Sequence, residues 1–326
     1  MTIDNLLPRY EDDHFTRIIV NDLMHTPKQI SSMFFYDEHG SKLFEKITQI
    51  PEYYPTRIEK SLLTHHARAI IPSTRPVDII ELGSGDCSKI SILLEALSVY
   101  DHPLIRYIPV DISESAVRES ADCLRHKYPE ISIHGMIMNF LEHIHKIPSE
   151  NPRLICFFGS TLGNLTPDQA QYFFRQVGQI MNPKDQFLLG VDMVKPADIL
   201  EQAYNDSANV TASFNQNILR VVNRLSGTDF QPEQFTHQAF YNPVHARIEM
   251  HLRADQDMTV TSPALTERLV IKKGELIHTE NSHKYTMNNI QTLADMSQLT
   301  ITDVYSDLHH WFCLVRLTKR PEKHNA

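Results

Sequence analysis

The stretch Val77-Asp-Ile-Ile-Glu-Leu-Gly-Ser-Gly-Asp-Cys-Ser-Lys89 constrains what this chain can fold into more than any other. Val77 to Leu82 is an apolar, β-branched run of strand length, Gly83-Ser84-Gly85 follows without a spacer, and apolar residues resume at helical spacing from Ser88 to Leu97. A buried strand that turns through glycines into a helix N-terminus makes a nucleotide-binding crevice at the carboxyl end of a parallel sheet. Glycine serves there because it admits positive φ and lets a ligand approach the backbone. A dinucleotide fingerprint needs a third glycine at the position of Ser88 and does not find it. Alone, a G-x-G is also what a plain strand–helix turn looks like, so its meaning depends on the rest of the chain.

The rest repeats the strand–helix rhythm. Ile105 to Val110 reads as a second strand closing on Asp111, and Ser113 caps a helix with Val117, Ala121 and Leu124 as its buried stripe. Ile131 to Ile137 is a third strand, followed by Met138-Asn139-Phe140. Leu154 to Phe158 is a fourth, and Thr166-Pro167-Asp168 starts the next helix. Phe187 to Val191 is a fifth, ending at Asp192. Alternation of this kind predicts a doubly wound parallel sheet. The pattern then breaks. Pro196 to Arg224 looks helical, Ala246 to Ala254 alternates as an antiparallel strand, and Leu276 to Ser282 continues a β-rich region. Thr286 caps a further helix, and Ile301 to Tyr305 with Trp311 to Leu317 form a closing hairpin. The expected division is 59–194 with 285–326 as one domain, and 1–58 with 195–284 as a second, inserted around it.

Bulk properties narrow the functions. A net charge of −9 over 326 residues argues against a general nucleic-acid surface. No apolar run is long enough to span a bilayer and the N-terminus has no signal-peptide character, so a cytoplasmic protein with no membrane partner is expected. Cys87, Cys123, Cys156 and Cys313 lack C-x-x-C spacing and read as free thiols of a reducing compartment. The 18 histidines include three close pairs, but none has a metal-ligand spacing, and no metal is expected. Gly159-Ser160-Thr-Leu-Gly163 lacks the central serine of a hydrolase nucleophile elbow. A monomer is compatible with the sequence.

Glu81 two residues before Gly83, and Asp111 at the end of the next strand, resemble the S-adenosylmethionine (SAM) site of class I methyltransferases. Further motifs stand in order: F-Y-D-x-x-G-S-x-L-F from Phe35, P-E-Y-Y-P-T-R from Pro51, G-S-T-x-G-N-L-T-P from Gly159, A-Y-N-D from Ala203, R-I-E-M from Arg247 and T-E-x-S-x-K-Y from Thr279. Together they resemble the histidine Nα-methyltransferases of ergothioneine biosynthesis over nearly the whole chain. The resemblance implies an α/β fold: a class I, Rossmann-like doubly wound sheet with an antiparallel C-terminal hairpin, plus an inserted α+β substrate domain. It also implies SAM as methyl donor, S-adenosyl-L-homocysteine as its product, and L-histidine as substrate, methylated up to three times on the α-nitrogen to give hercynine.

For the cofactor, the resemblance assigns Glu81, Gly83, Ser84, Gly85, Lys89, Asp111, Asn139 and Phe140. Asp111 would accept from the ribose hydroxyls, and Asn139-Phe140 would sit at the adenine, with an amide where family members usually carry aspartate. For the substrate it assigns Tyr36, Tyr53, Asn164 and Tyr204 to the α-amino and carboxylate groups. Glu280 and Ser282 would hydrogen-bond the two imidazole nitrogens, and Met250 would pack on the ring. Glu280 and Ser282 are two apart on an extended segment and so share a face. No residue is expected as a covalent catalyst; Tyr36 and Asn164 are the candidates nearest the amine. The competing readings are methylation of a tryptophan-like amino acid, methylation of a ring nitrogen of histidine, and a SAM-binding sensor without turnover.

Overall fold

The computed structural model describes residues 1–8, 13–73, 75–265 and 268–321. In chain order the strands are β1 (Thr2–Asn5), β2 (Val77–Leu82), β3 (Ile105–Asp111), β4 (Ser132–Ile137), β5 (Arg153–Phe157), β6 (Gln186–Asp192), β7 (Phe235–Asn242) and β8 (Arg247–Ala254). They continue with β9 (Met258–Val260), β10 (Leu269–Ile271), β11 (Leu276–His283), β12 (Leu299–Ser306) and β13 (Phe312–Lys319). The helices are α1 (His14–Met24), α2 (Glu38–Ile47), α3 (Tyr54–Ile70), α4 (Ser88–Glu95), α5 (Glu114–Lys127), α6 (Phe140–His143), α7 (Pro167–Ile180), α8 (Ala197–Tyr204), α9 (Val210–Ser226) and α10 (Met287–Met296). The chain divides into two compact units, one of Met1–Pro8, Ile58–Val194 and Tyr285–Ala326, the other of Arg9–Arg57 and Lys195–Lys284.

The first unit is built on an eight-stranded sheet in the order β1-β4-β3-β2-β5-β6-β13-β12. From β4 to β6 the strands are parallel, and the hairpin β12–β13 closes against β6 antiparallel. This is the seven-stranded class I methyltransferase sheet with one strand added. The addition is β1, which pairs parallel with β4 from Thr2↔His134 to Asn5↔Ile137. The first residues were expected in the inserted domain; four mostly polar residues carry no period that could announce a strand.

Every residue of β2 is buried, as a strand covered on both faces must be. Val77 and Ile79 face a core shared with Leu63, Leu93 and Leu124, whereas Ile80 and Leu82 face one shared with Phe173, Val177 and Ile290. Helix starts follow the expected chemistry: Thr166 forms a capping box with Gln169 ahead of Pro167, and Thr286 forms one with Asn289. Cys87 and Cys123 depart from the free-thiol expectation. They are joined in a disulfide with Cα atoms 6.6 Å apart, while Cys156 and Cys313 are free and buried. Helices α4 and α5 serve the same core, which brings together two cysteines that are 36 residues apart in sequence.

In the second unit a three-stranded antiparallel sheet, β11-β8-β7, lies with α9, and β9 and β10 form a separate pair. The run from Pro196 to Arg224 is two helices, not one. Asp206 interrupts it by accepting from the N–H groups of Val210 and Thr211, both at 2.8 Å, and so nucleates α9. Phe214 of α9 stacks on Phe35 at 4.5 Å between ring centres.

Candidate active site

The parallel strands run outward in opposite directions from β2, with β3 and β4 on one side and β5 and β6 on the other. The carboxyl end of β2 is therefore the topological switch point, where a crevice opens. Gly83 sits there with φ of +75°, and a side chain built on Gly83 or Gly85 would meet only open space. The intervening Ser84 hydroxyl is buried and has no hydrogen-bond partner among the described residues. A backbone loop with room above both glycines and an orphaned hydroxyl between them fits a polar ligand seated on it.

Asp111 ends the neighbouring strand. Its carboxylate accepts from Ser113 N–H at 2.8 Å, which leaves further lone pairs for a ligand. Burial raises its pKa to about 6, against the lowering effect of backbone N–H bonds from Ser113 and Ile112. Glu81 behaves differently. Its carboxyl turns into the fold, accepting from the Tyr107 hydroxyl at 2.6 Å, and Tyr107 also meets Ser120 at 2.7 Å. Burial pushes Glu81 up to about 7, although Tyr107 and the nearby Lys89 pull the other way. Beyond β4, Asn139 caps α6: its carbonyl accepts from Leu141 N–H and its amide donates to Glu142. Phe140 packs edge-on against Phe157 and Phe173.

Lys89, on the first turn of α4, pairs with Glu59 at 2.7 Å. Glu59 is wholly buried, and both its oxygens also accept from Gly159 N–H, at 2.9 and 3.0 Å. It thereby ties α3 to the glycine-loop helix and to the turn after β5. In that turn Ser160 adopts φ of +56° and accepts from Asp192 N–H at 2.9 Å, a structural role that accounts for the hydroxyl. Asn164 ends the same turn half-buried, and its side-chain amide has no hydrogen-bond partner among the described residues.

The other substrate candidates belong to the second unit. Tyr53 and Tyr204 are buried and meet edge to face, 6.1 Å between ring centres. Tyr36 is partly exposed and packs edge-on against Phe44 and Phe214. Glu280 and Met250 are opposed across β11 and β8, and Ser282 opposes Ile248 one pleat further on. Residues opposed in this way share a face, so Glu280, Ser282 and Met250 line one surface, and all three are buried. The Tyr204 hydroxyl donates to Ser282 Oγ at 2.8 Å, and Lys284 Nζ donates to both oxygens, at 2.8 Å to Ser282 and 3.1 Å to Tyr204. Beside this surface, Thr279 donates to Asn215 Oδ1, Asn215 donates to His237 Nδ1, and the other nitrogen of His237 bonds Tyr204 O, so β11 and α8 are held by one network.

Sequence reasoning missed Glu59, Lys284, and the buried pair Lys195–Tyr54 at 2.7 Å. Two of these left a signal. Glu59 precedes Leu62 and Leu63 by three and four residues, an acid on the apolar stripe of its helix. Lys284 has the parity of Glu280 and Ser282. Among the described residues no group of His, Cys, Asp and Glu side chains is arranged to hold a metal ion, and no helix is long and apolar enough to cross a membrane.

Residues 15–319 match the family described as histidine-specific methyltransferase, SAM-dependent. A histidine N-alpha-methyltransferase of Mycobacterium tuberculosis is 39% identical over 269 residues, spanning 82% of this chain and 84% of that protein. One of the same description from Mycolicibacterium smegmatis is 38% identical over 287 residues, 88% of this chain and 87% of the relative. An ergothioneine biosynthesis protein 1 of Neurospora crassa is 31% identical over 250 residues, covering 69% of this chain and 28% of that protein.

Proposed function

The chain belongs to the family of SAM-dependent, histidine-specific methyltransferases, and from that premise we propose that it methylates the α-nitrogen of L-histidine three times, giving hercynine. The observation that carries the substrate reading is the buried surface of Glu280, Ser282 and Met250, which offers a carboxylate, a hydroxyl and an apolar side chain to one flat ring. A site built to bond ring nitrogens rejects analogues without them, because its buried polar groups would be left unpaired.

SAM supplies an electrophilic methyl group on a sulfonium. In the reading proposed here Gly83, Ser84 and Gly85 seat its amino-acid part and Asp111 accepts from its ribose. Phe140 and Asn139 border the adenine, and Lys89 and Glu81 hold the loop in shape from behind. Tyr36, Tyr53, Tyr204 and Asn164 orient the substrate's amino and carboxylate groups. The protein's contribution is orientation and exclusion of water, with no covalent intermediate. Each transfer needs a lone pair on the nitrogen, so the amine must shed a proton beforehand.

Mass spectrometry after incubation with SAM and L-histidine, with L-tryptophan as control, tests this. Expected is a histidine-dependent gain of three methyl groups on the α-nitrogen, abolished or much reduced by Glu280→Ala. Turnover of tryptophan but not histidine would overturn the imidazole assignment.

A further inference from the structure

We propose that Lys284 is a positioning residue that fixes the Ser282 hydroxyl as a hydrogen-bond donor toward the substrate, so that the site accepts only the neutral imidazole, in a single tautomer. This rests on the histidine reading given above and adds to it a residue and a protonation state.

An ammonium group has three donors and no acceptor, a phenol one hydrogen, and a serine hydroxyl one hydrogen with two lone pairs. Lys284 Nζ donates to Ser282 Oγ at 2.8 Å. The single hydrogen of Tyr204 is spent on the same oxygen, also at 2.8 Å, and Tyr204 in turn accepts from Lys284 at 3.1 Å. Both lone pairs of Ser282 are thus occupied. What remains to it is its own hydrogen, which must point away from Tyr204 and Lys284. Lys284 cannot reverse the pattern, since it has nothing to accept with, and its nitrogen lies 4.9 Å from the centre of the Tyr204 ring, which anchors it further.

A ring nitrogen facing Ser282 must therefore bring a lone pair. A ring nitrogen facing the Glu280 carboxylate must bring an N–H. Neutral imidazole satisfies both at once, in one tautomer. Imidazolium brings two N–H groups and would set a donor against the donor of Ser282; indole has an N–H and no acceptor. The titratable groups on the face of Ser282 are Glu280 on the same strand and Lys284 just past its end, the Tyr204 phenol from α8, and, across β8, Tyr241 opposite Ile248 and His237 opposite Leu252 on β7. From β8, Ser282 is opposed by Ile248, and Glu280 by Met250, while Arg247, Glu249 and His251 alternate onto the other face.

The test is proton release on binding. The whole protein, saturated with S-adenosyl-L-homocysteine, is titrated with L-histidine at pH 6 by calorimetry in two buffers of different ionisation enthalpy. An imidazole of pKa near 6.5 is roughly three-quarters protonated at that pH, so the wild type releases about that much from the ring, beyond any contribution of the α-amine. Lys284→Met frees a lone pair on Ser282, admits imidazolium, and releases at least about half a proton less. In a Ser282→Ala background the Lys284→Met change has no further effect on the count. Equal release by wild type and Lys284→Met overturns the proposal. So does a Lys284 effect that persists without Ser282, which would mean that the lysine acts as a bare charge. Should Lys284→Met not fold, the wild type alone decides: ring-15N-labelled L-histidine bound at pH 6 must show one protonated and one unprotonated ring nitrogen, and two protonated nitrogens refute it. Failure of the wild type to bind histidine at all sinks the substrate reading itself.

Discussion

Glu81→Gln should stabilise the protein, and more so as the pH rises. The carboxyl of Glu81 is buried beside Tyr107, and burial lifts its pKa from the ordinary 4.5 to about 7. Between those values the folded protein holds a proton that the unfolded chain has released. The favourable contribution is therefore full below pH 4.5 and lost as the pH climbs through 7. At 1.36 kcal/mol per pKa unit, keeping Glu81 ionised at pH 8 costs the fold about 3 kcal/mol, against less than about 1 kcal/mol at pH 5. Glutamine retains a carbonyl to accept from Tyr107 and removes the charge. Thermal unfolding without cofactor should show a Tm gain of roughly 6–12 °C at pH 8, taking about 2–4 °C per kcal/mol for a unit of this size, and at most about 3 °C at pH 5. A gain that is the same at both pH values, or a loss at pH 8, would show that Glu81 is held as a carboxylate by its partners and that the linkage argument is wrong.

Asp111→Asn should raise the KM for SAM about 10- to 100-fold, the worth of hydrogen bonds to a charged acceptor, with the KM for histidine little changed. Because the Asp111 pKa stands at about 6, the wild-type KM for SAM should climb as the pH falls below that value, while the variant's stays flat. Glu59→Gln leaves Lys89 without its carboxylate inside the fold and should cost about 3 kcal/mol in denaturant unfolding; a loss below about 1 kcal/mol would show the pair to be expendable. In the second unit, burial lowers the pKa values of His237 and His278, and that of His251 to about 4. The unfolded chain then binds more protons below pH 6.5, so this unit's stability is lost as the pH falls from 6.5 towards 4, the opposite sense to Glu81. Hydrogen exchange followed peptide by peptide at pH 7 and pH 5 should show β7, β8 and β11 losing protection; unchanged protection there would contradict it.

The succession of strands and helices along the chain, the glycine turn after β2, the helix caps at Thr166 and Thr286 and the closing hairpin could all be read from the sequence, because each rests on local chemistry: periodicity, φ requirements and capping side chains a few residues apart. The shared face of Glu280 and Ser282 was equally legible, since the period of a strand decides it. Local rules could not show β1, whose partner strand begins 130 residues later, or the Cys87–Cys123 disulfide. Nor could they show that Glu81 turns into the core whereas Asp111 keeps acceptors available at the crevice. Both acids lie at the carboxyl ends of apolar strands, Glu81 next to last and Asp111 last, and look alike as letters; only the neighbours supplied by other elements, Tyr107 and Ser120 for one and the Ser113 backbone for the other, separate their roles. Lys284 is the sharpest case. Its parity placed it beside Ser282, but what it does there depends on a tyrosine hydroxyl 80 residues earlier reaching the same oxygen. Sequence determines which groups a strand presents, whereas the donors and acceptors that remain for a ligand are set by every element that folds against it.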